Sequence, residues 1–276
     1  MPKHKVSSGW MPINNAKIYY EIAGEGEPFV MIHAGVADRR QWENEFEYYT
    51  DHYRVLRYDM RGYGKSEPVE GEFSHMDDLK ALLDEFDILQ PAILMGCSMG
   101  GGIAMNFALT HPSRAKSLIM VGSGPNGLEL DTPTPTKFAE AEKAYEAGDL
   151  DRTCELEIQI WFDGEGRTPE QVNPAMRKLA YEMNHIALEH EAKHLGKKLP
   201  DTRFLAARRL DKLSIPVLVI VGAHDTPYIR AAADVMVEKI PYAKKVLFEN
   251  AAHLPNMDQP EEFQRIVDVF LERVTK

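Results

Sequence analysis

Residues 96–100 read GCSMG, a serine between glycines at the spacing G-x-S-x-G, directly after the apolar run AILM and directly before GGIAMNFALT. In that pattern the serine sits on a strained turn from strand to helix with its hydroxyl exposed above the sheet. The glycines meet a steric need, because strand and helix approach so closely there that side chains would collide. A serine hydroxyl alone is a weak nucleophile, so the chemistry requires a base and a group that orients the base. GAHD closes the run IPVLVIV and places Asp225 at the C-terminal end of a buried strand, where sites form in open parallel sheets. Of the ten histidines only His253 lies beyond Asp225, and it follows KVLFEN in the same manner. Taken singly, Asp225 reads equally well as a helix cap before PYIRAAADV, and His253 as a solvated loop residue. Taken together, Ser98, Asp225 and His253 form the ordered nucleophile, acid and base of acyl transfer.

Such a reaction develops an oxyanion, which needs two backbone N–H groups aimed at it. Met99, next to the serine, is expected to provide one. The loop HAGVADRRQW (33–42) after PFVMI is expected to provide the other from Gly35, with Val36 in reserve. His33 is expected to brace that loop through a hydrogen bond. Arg39 and Arg40 beside it would suit a substrate carboxylate, although such pairs are more often solvated.

The elements needed to hold these groups are visible as apolar runs closed by glycine or a turn: KIYYEIAG, PFVMIHAG, RVLRYDMRG, AILMGC, KSLIMVGSG, PVLVIVGAHD and KVLFENAAH. Helix-like segments lie between several of them, at 76–88, 101–111, 229–240 and 261–274. Near-continuous apolar strands alternating with helices predict an α/β fold, a mostly parallel central sheet covered by helices on both faces. The first strands follow one another without helices, as an antiparallel start would. Residues 127–210 break the rhythm, with helical stretches, no strand signal, and a proline-rich entry, DTPTPT. They predict a helical cap inserted into a core of residues 1–126 and 211–276; an ordinary helical layer of the same domain is the alternative. In the cap, Trp161, Phe162, Met176 and Met183 would either line an acyl pocket or pack helix on helix.

With 43 acidic and 32 basic residues the formal charge is -11, which disfavours nucleic acid and anionic membrane as partners. No apolar run reaches the roughly 18 residues that span a bilayer, and the start MPKHKVSSGWMP carries no secretory pattern, so the expectation is a cytoplasmic chain. Cys97 and Cys154 are too few for a disulfide framework and have no metal-ligand spacing; Cys97 reads as a small buried apolar residue.

Three other motifs compete. GSGPNG (122–127) fits G-x-G-x-x-G, but LELDTPTPT follows it instead of a helix that could hold a pyrophosphate. GKS (64–66) is a P-loop ending, yet Asp59 occupies the place of its first glycine. HEAKH (190–194) fits a zinc-binding helix, but the glycine that the extended form places three residues on comes two on, at Gly196, and the segment reads as a wet helix face. No cofactor and no metal are expected.

HAGVADRRQW, DMRGYGKS, GCSMGG, GAHD and HLPNMDQPEEF together resemble the serine α/β-hydrolase family, in particular its cap-bearing esterases, lactonases, peroxidase-like esterases and carbon–carbon bond hydrolases. The resemblance covers nearly the whole chain. It implies a cofactor-free esterase acting on a small-molecule ester or lactone, with lactonase, perhydrolase and carbon–carbon hydrolase chemistry as alternatives on the same triad. A slowly hydrolysing ligand receptor is the alternative from another class, and a homo-oligomer stays open. The chain departs from the family pattern in having Ala34 where glycine is usual and in lacking the glycine-rich loop typical of carbon–carbon hydrolases. Serine at the elbow, where haloalkane dehalogenases and epoxide hydrolases carry aspartate, argues against those activities.

Overall fold

A computed structural model describes residues 4–199 and 205–274. The chain begins with β1 (Ser7–Ile13), β2 (Ala16–Ala23), β3 (Pro28–Ile32), α1 (Glu43–Tyr49) and β4 (Arg54–Tyr58). It continues through β5 (Glu72–Phe73), α2 (His75–Glu85), β6 (Ala92–Cys97), α3 (Met99–Thr110) and β7 (Ala115–Val121). Three helices follow, α4 (Lys137–Glu146), α5 (Leu150–Ile158) and α6 (Pro174–Glu191), then β8 (Lys197–Lys198). The last elements are β9 (Val217–Gly222), α7 (Pro227–Lys239), β10 (Ala243–Phe248), α8 (Pro255–Asp258) and α9 (Pro260–Val274).

Eight strands form one sheet in the order β1-β2-β4-β3-β6-β7-β9-β10. β1 and β2 pair antiparallel, as do β2 and β4; every other pairing in this sheet is parallel. The central strands β3, β6 and β9 are buried at every position, which is why their sequences are continuously apolar. Their side chains nevertheless divide by the two-residue period of a strand. Val30, Ile32, Leu94 and Val219 join a core under α2, α3 and α7. Phe29, Met31, Ile93 and Ile220 join a second core under α1 and α9.

Between β7 and β9 the chain leaves the main sheet, and Cys154, Ile158, Phe162, Ala180 and Met183 of this excursion pack into the second core. Among its described residues the excursion holds one strand, β8, which pairs in parallel with β5 and ties the segment to the loop after β4. Two residues are too few to display alternation, so the strand leaves no mark in the sequence. β1 is the other addition. As an edge strand it carries Pro12 and exposes most of its residues, the usual pattern where one side of the ladder faces solvent. Among the described residues no helix is long and apolar enough to cross a membrane.

Candidate active site

Ser98 lies between the last residue of β6 and the first of α3 with φ 51 and ψ -115, a left-handed conformation that side-chain-bearing residues rarely adopt. Backbone bonds hold it there. Its N–H donates to the Val121 carbonyl of β7 at 2.8 Å, and its carbonyl accepts from Gly102 N–H at 3.1 Å and Ser123 Oγ at 3.0 Å. A Cβ built on Gly96 would meet the Gly100 backbone at 2.4 Å, so the flanking glycines are a steric condition of the turn.

Asp225 and His253 follow β9 and β10, the strands beyond β7. His253 Nδ1 lies 2.8 Å from Asp225 Oδ2, and the Thr226 N–H donates to Oδ1 at 2.7 Å, which occupies both carboxylate oxygens. Both side chains are fully enclosed. The His253 carbonyl accepts from Cys97 Sγ at 3.5 Å, which brings the histidine loop against the residue preceding Ser98. The imidazole also packs on Trp161, ring centroids 4.4 Å apart, and the His253 N–H donates to the Trp161 carbonyl at 3.2 Å. Phe162, by contrast, is buried within the apolar cluster with Val172 and Met183, so it packs rather than faces an opening.

Gly35 stands over Met99: a Cβ at Gly35 would lie 3.8 Å from Met99 Cε and 3.9 Å from its Cβ. Met99 opens α3, so its N–H has no acceptor within the helix. Gly35 and Val36 are half-buried and line a cleft of about 540 Å³. His33 Nε2 accepts from the Met60 N–H at 2.9 Å, so Nδ1 carries the proton and donates to the Ala34 carbonyl at 2.7 Å. Burial lowers its pKa to about 4, keeping the brace neutral. Arg39 and Arg40 are not open to a substrate carboxylate. Arg39 is buried between Glu21 and Asp59, and Arg40 pairs with Asp38.

Residues 27–260 match the family model described as alpha/beta hydrolase fold. The chain belongs to the alpha/beta hydrolase fold family. It is 27% identical over 256 residues to the pimeloyl-[acyl-carrier protein] methyl ester esterase of Aeromonas hydrophila, covering 90% of this chain and 96% of that one. It is 29% identical over 266 residues to the 2-hydroxy-6-oxononadienedioate/2-hydroxy-6-oxononatrienedioate hydrolase of Paraburkholderia xenovorans, covering 92% and 90%. Among solved structures, the enol-lactonase from Burkholderia xenovorans LB400 superposes with a TM-score of 0.76 at 21% identity, covering 96% of this chain and all of that one.

In this alpha/beta hydrolase a buried amide pair that local sequence does not announce joins the two loops of the site. Gln41 Oε1 accepts the Ala34 N–H at 2.9 Å and Gln41 Nε2 donates to Asn256 Oδ1 at 3.3 Å. Asn256 Nδ2 in turn donates to the Gln41 carbonyl at 2.8 Å and to Glu45 Oε2 at 3.2 Å. The loop bearing Gly35 and the loop bearing His253 are thus held to each other. Burial raises the Glu45 pKa to about 8, above its ordinary 4.5. The native state therefore binds a proton that the unfolded chain has released, and stability falls as pH rises from about 4.5 to about 8. Glu45→Gln is expected to flatten that slope and raise the melting temperature at pH values above this window, read by thermal denaturation across pH.

The remaining motifs have structural explanations. After β7 the GSGPNG stretch reaches no helix until Lys137, so it offers no helix N-terminus. Cys97 and Cys154 are buried and unpaired, and burial pushes the Cys97 thiol far above its ordinary range. Among the described residues no three His, Cys, Asp or Glu side chains gather to hold a metal ion. HEAKH is not simply a wet face, however. His190 is buried, and with Glu191 and His194 it lines the same cleft as Gly35.

Proposed function

We propose that this alpha/beta hydrolase cleaves carboxylic esters through an acyl-enzyme on Ser98. The observation that carries the reading is the enclosed Asp225–His253 pair placed against the strained Ser98 turn. His253 takes the hydroxyl proton as Ser98 attacks the ester carbonyl, and Asp225 orients the imidazole and stabilises its cation. The N–H groups of Gly35 and Met99 receive the oxyanion. The alcohol departs with the proton from His253, and water then repeats the sequence on the acyl group. Residues 127–210 act as a cap whose Trp161 covers the imidazole and keeps bulk water from it.

A fold hosts many chemistries, so the reaction has to be argued from the site. An ester and a lactone pass through the same tetrahedral intermediate, and the enol-lactonase likeness makes lactones the first variant to try. The carbon–carbon reading has a relative in its favour but lacks the glycine-rich loop in residues 33–42. Steady release of nitrophenol from a short-chain nitrophenyl ester is the expected result. A single burst without turnover would point to a receptor, and turnover of lactones alone would narrow the substrate to cyclic esters.

A further inference from the structure

Two clefts beneath the helices between β7 and β9 share part of their walls, and among the described residues the acid gathered at that joint has no basic partner. The first, about 540 Å³, starts at Gly35 and Val36 and runs between the core and α6. The second, about 330 Å³, lies among α4, α5 and α6 and includes Trp161, the ring against His253. Glu157 and Glu191 line both. Among the described residues neither is paired with a lysine or arginine. Glu157 has the Asn184 amide as its partner, Nδ2 to Oε2 at 2.7 Å.

The basic groups nearby are engaged elsewhere: Arg61 bonds to Asp78 and Asn15, Lys193 to Glu67, and Lys198 lies 3.3 Å from Met99 Sδ. Burial, reinforced by Glu191, raises the Glu157 pKa, as expected of two carboxylates that share a site. An independent feature lies in the wall of the first cleft. His75 and His190, 5% and 7% exposed, each keep an Nδ1 with no hydrogen-bond partner. Burial, with the charges of Lys198 and Arg61 nearby, lowers the His75 pKa, so at neutral pH its imidazole is neutral and one of its nitrogens is an acceptor. A hydrogen-bonding ligand would satisfy these open nitrogens, and a cation would relieve the repulsion between the carboxylates.

We propose that the joint at Glu157 and Glu191 is a subsite for a cationic end of the substrate, a primary ammonium or a guanidinium. For the reaction it rests on the ester-hydrolase reading; for binding it does not. Nitrophenyl esters of matched length ending in ammonium, methyl or carboxylate test it through kcat/KM. The ammonium-ended ester is expected to exceed the carboxylate-ended one by roughly tenfold or more, the scale of a charge-assisted hydrogen bond. The double variant Glu157→Gln/Glu191→Gln should bring that ratio close to one with the methyl-ended ester little changed, and Glu191→Lys should reverse the preference. Equal rates in the wild type, or a carboxylate preference, would overturn the subsite, and this arm stands even if the double variant fails to fold. Calorimetric binding of hexylammonium against hexanoate separates the two readings. Hexylammonium binding that both variants abolish, with no ester turned over, keeps the subsite and removes the hydrolase; ester turnover with no hexylammonium binding does the reverse.

Discussion

Ser98→Ala is expected to lower ester turnover by a factor on the order of 10⁴ or more while the fold persists. The loss is large because the reading assigns the whole covalent step to one oxygen, and neither the oxyanion donors nor the Asp225–His253 pair can replace it. Residual hydrolysis would come from those donors acting on attacking water. The fold persists because the turn is held by backbone. The Ser98 N–H and carbonyl make its bonds to Val121, Gly102 and Ser123, while the side chain makes no capping bond to α3. Alanine keeps a Cβ at the same positive φ, so the conformational strain is unchanged. Circular dichroism and melting should match the wild type as turnover disappears. A variant with the original rate would end the assignment of Ser98, and Asp225→Asn offers an independent check. It should lower kcat by roughly 10³ to 10⁴, because an amide does not hold His253 in the tautomer that accepts the serine proton.

How much of this the sequence discloses depends on how local the physics is. A strand buried on both faces has to be apolar throughout, so β3, β6 and β9 are legible and the α/β class with them. Asp225 and His253 are 28 residues apart and meet in space, yet each lies in the loop just beyond a strand, so chain order alone can suggest the pair. Gln41 and Asn256 are 215 residues apart, one in a single 3-10 turn at Arg39–Trp42 and the other in the four-residue α8, elements too short for periodicity to mark a partner. Arg39 resembles a substrate clamp until Glu21, from β2, is seen beside it. His190 is a different case. It lies on the buried face of α6 with Met183 and Ala187, at helical spacing, so its inward direction can be read from the pattern without coordinates.

Gly100→Ala is expected to cost several kcal/mol, on the order of 3 or more, and to impair turnover in whatever fraction still folds. A Cβ there would lie 2.3 Å from the Ile32 carbonyl oxygen, 2.5 Å from that of His33 and 2.7 Å from the Ile32 carbonyl carbon. All three atoms are backbone, so no rotamer change can relieve the contact. Relief requires α3 and the end of β3 to separate, and that displaces the loop carrying Gly35 from Met99. The same added methyl at Gly102, two positions along α3, meets only the Gly124 carbonyl oxygen at 4.0 Å. There alanine removes a helix-interior glycine and should stabilise by up to about 1 kcal/mol. Urea denaturation of the two variants compares one methyl group in two settings of one helix. Similar midpoints for both would mean that the close approach of α3 to β3 does not hold the Ser98 turn, and the strain would have to be maintained from the Val121 and Ser123 side instead.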